Sequence, residues 1–186
     1  MLKDDIFFRT SGGGVTLSGG EVLMQAPFAT RFLQRLRRLG IQCAIETAGD
    51  APASRLLPLA KACDEVLFDL KIMDAVQARE VVNMNLPRVL ENLRLLVSEG
   101  IHVIPRLPLI PGFTLSTENL QRALTLLTSL GIKQVHLLPF HQYGEPKYRL
   151  LGQQWSMKDV PAPSAQEVAA LREIAECAGF QVTIGG

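Results

Sequence analysis

The sequence predicts an α/β protein, a mainly parallel sheet flanked by helices and arranged as an open or partial barrel. Three observations point there. Six short apolar segments of β type alternate with longer amphipathic segments, and such alternation builds parallel strands joined by right-handed crossovers. The chain has 186 residues, which suits one domain with a sizeable core. Closed eight-stranded barrels usually need about 250 residues, so full closure is not expected.

The elements are read in order. A first strand covers 14–18. A helix covers 27–39, with Phe28, Phe32, Leu36 and Leu39 at helical spacing, Pro27 suited to the first turn and Gly40 to the stop. A strand at 41–46, a helix at 51–63 and a strand at 65–70 follow. Residues 73–86 give no clean pattern and read as partly helical. A helix at 87–99 ends at Gly100, and a strand at 101–107 runs into a proline-rich turn at 108–112. A helix at 117–130 leads to a strand at 132–138, then a long loop at 139–163. Ser164 and Glu167 form a capping-box pattern that opens the last helix. That helix ends near Gly179, and Gln181–Ile184 reads as the last strand. No repeat, low-complexity tract or linker divides the chain, so a single domain over 1–186 is expected.

Composition narrows the function classes. Hydrophobic residues make up 47% and charged residues 20%, with a formal net charge of +1, so no field for nucleic acid or an anionic membrane is expected. The cluster Arg31, Arg35, Arg37 and Arg38 reads as a solvated helix face. No apolar run reaches the ~20 residues of a membrane span, and residues 1–5 carry no signal-peptide pattern. A cytoplasmic protein is expected. Cys43, Cys63 and Cys177 are scattered, without metal-site spacing, and read as small buried apolar residues.

Parallel α/β architectures bind ligands at the carboxyl ends of their strands. Ser18-Gly19-Gly20-Glu21 follows the first strand, where two glycines let a ligand approach the main chain. Glu21 reads either as a receiver for a ligand ammonium or as a surface acid on a plain turn. Glu46-Thr47-Ala48-Gly49 ends the second strand. Glu46 shares a face with the small Ala44 and is a ligand group or a structural partner of Lys71. Asp69 and Lys71, two apart on the third strand, share a face, with Leu70 pointing the other way. They suit a zwitterionic ligand or form a structural ion pair. Arg106, between Pro105 and Pro108, suits a carboxylate or a rim ion pair, and the prolines mark its segment as a strand end or bulge. His102 and His136 read as structural. His141, Tyr143 and Lys147 follow the fifth strand, and His141 either meets a ligand or caps the loop.

Several of these segments resemble one family. The run from Ser11 to Glu21, Ser-Gly-Gly-Gly-Val-Thr-Leu-Ser-Gly-Gly-Glu, is similar to the signature of pyruvate formate-lyase activating enzymes and their relatives. So are Glu46-Thr47-Ala48-Gly49, Asp69-Leu70-Lys71, and Leu137 to Gly144 with Lys147-Tyr148. The motifs occur in order from Ser11 to about Gly179. The resemblance implies a partial (β/α)6 TIM-like barrel of the radical S-adenosylmethionine type, with its first strand lying before residue 1. It implies an enzyme that cleaves S-adenosylmethionine reductively at a [4Fe–4S] cluster and takes a hydrogen atom from a glycine of a pyruvate formate-lyase-like glycyl radical enzyme. An electron donor such as flavodoxin is a further implied partner. By similarity, Gly19, Gly20 and Glu21 hold the ligand's amino acid end, with Asp69, Leu70, Lys71 and Glu46 beside them. His141 lies near the adenosyl group, and Arg106 near the carboxylate or the incoming glycine loop.

Three departures accompany the resemblance. The family's C-x3-C-x2-C cluster motif is absent, since no cysteine precedes Cys43. The chain is therefore expected to be a truncated portion, inactive alone. Glu46 stands where aspartate is common, and Val81-Val82-Asn83-Met84-Asn85 lacks a glycine often found there. Two other readings stay open on the residues: an aldolase or isomerase barrel using Lys71, and a non-catalytic docking module.

Overall fold

A computed structural model describes Phe8, Thr10 and residues 13–185, with the side chain of Lys147 outside the description. Ser11 and Gly12 of the first motif, and residues 1–5, lie outside the described residues. Six strands form one sheet in chain order: β1 (Gly14–Leu17), β2 (Gln42–Thr47), β3 (Glu65–Asp69), β4 (Val103–Leu109), β5 (Gln134–Pro139) and β6 (Gln181–Ile184). The pairs β1–β2, β2–β3, β4–β5 and β5–β6 are parallel. The connecting helices are α1 (Ala26–Arg38), α2 (Ala53–Ala60), α3 (Ala75–Val82), α4 (Leu86–Ser98), α5 (Thr117–Ser129), α6 (Glu145–Leu150) and α7 (Ala165–Cys177). A 3-10 turn, Val22–Gln25, precedes α1, and another, Gln142–Gly144, precedes α6.

The chain packs as two compact units. The first contains the residues up to Leu70 together with Asp74–Pro105. Its core joins Leu33 of α1, Ile45 of β2, Leu56 and Leu59 of α2, Val66 and Phe68 of β3, and Leu93 and Leu96 of α4, all fully buried. Full burial of such side chains contributes about 1.5–3 kcal/mol each. In β2 the burial has period two: Cys43, Ile45 and Thr47 are buried, while Ala44 and Glu46 are half-buried. Glu46 and Ala44 therefore share a face, as the pattern predicts. The second unit contains Lys71–Met73 and Arg106–Gly186. Its core includes Leu109 of β4, Leu120, Ala123 and Leu127 of α5, Val135 and Leu137 of β5, and Ala175 of α7.

Several elements depart from the sequence reading for identifiable reasons. In α1 the buried face is Ala26, Ala29, Leu33 and Leu36. Phe28 is 60% exposed and Leu39 is 47% exposed. The apolar positions are wider than the buried stripe, and Phe28 instead stacks on Phe32 at 6.1 Å. The strand read as ending at 107 continues through Pro108 to Leu109. Arg106 thus lies within a paired strand, opposite His136, not at a strand end or bulge. Proline lacks an N–H but keeps its carbonyl, and Pro108 uses that carbonyl to accept the Thr114 hydroxyl.

The long loop 139–163 contains the Gln142–Gly144 turn and α6, so it is partly helical. Residues 73–86 contain α3, closed by Asn83 at φ 51. Asparagine tolerates this left-handed conformation, which accounts for the missing glycine. The capping box holds: Ser164 Oγ accepts from Glu167 N at 3.2 Å, and Glu167 Oε2 accepts from Ser164 N at 2.8 Å. No helix among the described residues is long and apolar enough to cross a membrane.

Cys43 and Cys63 are buried, as expected, but Cys177 is exposed. Its place at the end of α7 turns it to solvent, where a helical pattern alone does not distinguish it from a core position. Burial pushes the Cys63 thiol up to about 12 and raises that of Cys43, with Asp64 adding to both. A thiol titration of the native chain at pH 8 is therefore expected to modify Cys177 quickly, with the other two reacting only on denaturation. Rapid modification of all three would contradict the packing.

Candidate ligand-binding site at the strand ends

The first unit carries the Gly-Gly-Glu turn. β1 ends at Leu17, and Gly19 turns the chain at φ 128, a conformation that disfavours any residue with a Cβ. A Cβ built on Gly19 or Gly20 would meet nothing within 4 Å, so the backbone here lies open. Glu21 is held by three hydrogen bonds. Its Oε1 accepts from Leu23 N at 3.1 Å and from the Thr47 hydroxyl at 2.6 Å, and its Oε2 accepts from Ala48 N at 3.0 Å. The carboxylate thus caps the following 3-10 turn and ties it to the end of β2.

That tie continues inward. Thr47, 3% exposed, accepts from Gly49 N through its hydroxyl at 3.0 Å. The carbonyls of Gly49 and Ala51 accept from the side-chain amide of Asn92 on α4, at 2.7 and 2.8 Å. Gly49 has φ 68, and an added Cβ would lie 2.3 Å from the Phe68 ring. Arg88 grips Asp50 through Nε and Nη2 at 2.8 and 2.6 Å. Ser18 donates its hydroxyl to Glu46 Oε2, so Glu46 meets the exit of β1. Asp69 is half-buried at the end of β3, and Leu70 is 1% exposed. The first unit therefore gathers Gly19, Gly20, Glu21 and Glu46 around two neighbouring strand exits.

The second unit holds the rest. Lys71 is half-buried. Asn119 of α5 fixes its main chain, donating to Lys71 O at 2.8 Å and accepting from Met73 N at 2.8 Å. Arg106 on β4 is 7% exposed, so it is not a rim residue. His141 follows β5 and is exposed. Its Nδ1 accepts from Tyr143 N at 3.3 Å, and the two rings lie 4.3 Å apart. In the neutral ring the proton then sits on Nε2, leaving an N–H donor on an exposed side chain. Of the two histidines read as structural, His102 pairs with Glu65 at 3.4 Å, and His136 lies 3.4 Å from Gln134 Nε2.

Asn92 and Asn119 escaped the sequence reading. Asn92 lies on the apolar face of α4 and Asn119 in the first turn of α5, and buried polar side chains aimed at loop carbonyls leave no periodic trace. A cavity of about 350 Å³ in the first unit lies at the opposite ends of the strands, lined by Gly14, Gln42, Asp64, Glu65 and His102. It does not involve the strand-end residues.

The thiols do not form a metal-binding set. Cys43 Sγ donates to Ile41 O at 3.4 Å, and Cys63 Sγ donates to Ala60 O at 3.2 Å. Both are held protonated by burial, whereas iron–sulfur ligation needs thiolates. Among the described residues no cluster of His, Cys, Asp or Glu could hold a metal ion. These cysteines do not fit a [4Fe–4S] cluster.

A parallel α/β fold with open glycine backbone and acids at its strand exits agrees with what family comparison finds. Residues 3–124 match the model of the radical SAM superfamily, and the chain belongs to that superfamily. It is 81% identical over its full length to the pyruvate formate-lyase 2-activating enzyme of Escherichia coli, covering 64% of that protein. It is 33% identical to the trans-4-hydroxy-L-proline dehydratase activating enzyme of Clostridioides difficile, over 99% of this chain and 62% of the relative. The chain thus spans less than two thirds of either relative. A solved domain of a pyruvate-formate lyase-activating enzyme from Bacteroides vulgatus superposes with TM-score 0.77 at 27% identity, covering 94% of this chain and 99% of that domain.

If Glu21 ties two strand exits, its loss weakens the fold. Glu21→Ala removes a charged acceptor from three donors and is expected to cost about 2–3 kcal/mol in urea unfolding followed by circular dichroism. An unchanged midpoint would show that the side chain serves a ligand instead.

Proposed function

We propose that this chain is the S-adenosylmethionine-binding portion of a glycyl-radical-enzyme activating enzyme. The observation that carries the reading is the open main chain at Gly19 and Gly20, braced by Glu21, at the strand exits of a chain 81% identical to an activating enzyme. Its physical logic is charge matching. The amino acid end of S-adenosylmethionine carries an ammonium and a carboxylate. Main-chain carbonyls at the Gly-Gly turn, with Glu46 and Asp69, would receive the ammonium. Within the second unit, Lys71 and Arg106 carry the charge that suits a carboxylate, Arg106 through a bidentate fork. Leu70 would present its backbone, and the Nε2–H of His141 would donate to the adenosyl group. Superfamily membership sets aside the aldolase reading of Lys71.

In the whole protein, reductive cleavage of bound S-adenosylmethionine would supply a 5′-deoxyadenosyl radical to take a glycine hydrogen atom from a pyruvate formate-lyase-like partner. The electron would come from a donor such as flavodoxin through a [4Fe–4S] cluster. The three thiols of this chain are not its ligands, so no step through a cluster follows from these residues. The cytoplasm is the compartment this reading assigns.

Two measurements test the proposal. Calorimetry is expected to show S-adenosylmethionine binding to the chain, weakened about tenfold by Asp69→Ala through loss of one charged contact. Absence of binding, or an unaltered affinity in the variant, would refute the assignment. Anaerobic iron–sulfur reconstitution is expected to leave the chain without thiolate-to-iron absorption. A cluster signal retained by the chain would overturn the account of its cysteines.

A further inference from the structure

The segment after β5 contains an organised clasp that the strand-end reading does not use. Gln142 stands at its centre. Its side-chain Nε2 donates to Met157 O and to Val160 O, both at 2.8 Å. Its Oε1 accepts from the indole N–H of Trp155. One amide thereby engages both its donors and its acceptor on a segment 13–18 residues further along the chain.

The indole is held on its faces as well. Phe140 lies 6.5 Å from it with planes at 14°, and Tyr148 lies 4.7 Å away at 58°. A Cβ on Gly144 would come within 3.1 Å of the Trp155 ring, so the indole packs down onto the 3-10 turn itself. His141 is the residue that caps this turn. Phe140 on one side of His141 and Gln142 on the other are thus both fixed by Trp155, the single tryptophan of the chain.

We propose that Gln142 is a positioning residue for His141. By pinning the 155–160 segment against the turn, it fixes the backbone on which the His141 ring is mounted. It thereby keeps Nδ1 on the Tyr143 N–H and leaves Nε2–H for the ligand. A histidine's available nitrogen is set by what its other nitrogen binds, and a polar group that orients a ligand-contacting side chain is worth affinity without touching the ligand. This inference rests on His141 meeting S-adenosylmethionine, and it goes further in naming the residue and contacts that aim it.

The test separates the inference from the reading beneath it. The chain has three histidines, so their ring resonances can be assigned by substitution. In Gln142→Leu the His141 signal is expected to move to the position of a solvent-averaged histidine and the Trp155 emission to shift red, while the His102 and His136 signals stay. S-adenosylmethionine affinity is expected to fall about tenfold, and Gln142→Leu is expected to add nothing in a His141→Ala background. Trp155→Phe keeps the ring stack but removes the indole donor, and should displace the His141 signal in the same direction by a smaller amount. It serves as the test if Gln142→Leu does not fold.

A His141 resonance unmoved in both variants would overturn the inference. So would a Gln142→Leu effect of the same size with and without His141, which would show a merely structural role. Absence of S-adenosylmethionine binding by the unsubstituted chain would instead sink the ligand reading, with the resonance still deciding whether Gln142 positions His141.

Discussion

The first unit depends on one carboxylate. Glu21 collects the N–H of Leu23, the hydroxyl of Thr47 and the N–H of Ala48. These groups come from two strand exits that share no sequence neighbourhood, and a charged acceptor binds them more strongly than a neutral one would. The arrangement holds the Gly-Gly turn from outside. The turn's own backbone stays open at Gly19 and Gly20, where added side chains would meet only space. A rigid but accessible main chain is what recognition of a small zwitterion requires.

The surroundings of this tie show how the fold shares its polar work. Thr47 passes the constraint to Gly49, and Asn92 fixes the carbonyls on either side of Asp50. Each buried polar atom in this chain of contacts has a partner, so the turn is satisfied internally. In the second unit Asn119 plays the corresponding part for the main chain at Lys71 and Met73, and Gln142 does so for the turn after β5. Three side-chain amides brace the loops that carry the candidate ligand groups, Asn92 and Asn119 across more than 40 residues of sequence and Gln142 across 13–18.

Much of this was legible in the sequence, and the misses share a cause. The strands and helices follow from apolar periodicity and capping chemistry, and β6 and the Ser164 capping box were read to the residue. The face that Glu46 shares with Ala44 follows from strand alternation, whereas β3 stops at Asp69, so Leu70 and Lys71 lie past the strand and not on it. Cys177 was misplaced because residue type does not say which part of an apolar face is covered. Pro108 misled because proline is rare inside sheets, although its carbonyl still serves Thr114 here. The ties from Glu21 to Thr47 and Ala48 were not legible, because those partners lie 26 and 27 residues away. Asn92, Asn119 and Trp155, and the contacts of Gln142, were missed for the same reason, since long-range polar contacts have no period.

The central claim is that ligand recognition occurs at the carboxyl ends of the strands and not in the cavity at their opposite ends. Nuclear magnetic resonance mapping during titration with S-adenosylmethionine tests it most directly. The account predicts saturable shifts at the amides of Gly19, Gly20 and Ala48 and at the His141 ring. Shifts confined to Gly14, Gln42 and Glu65, which line the opposite cavity, would contradict it.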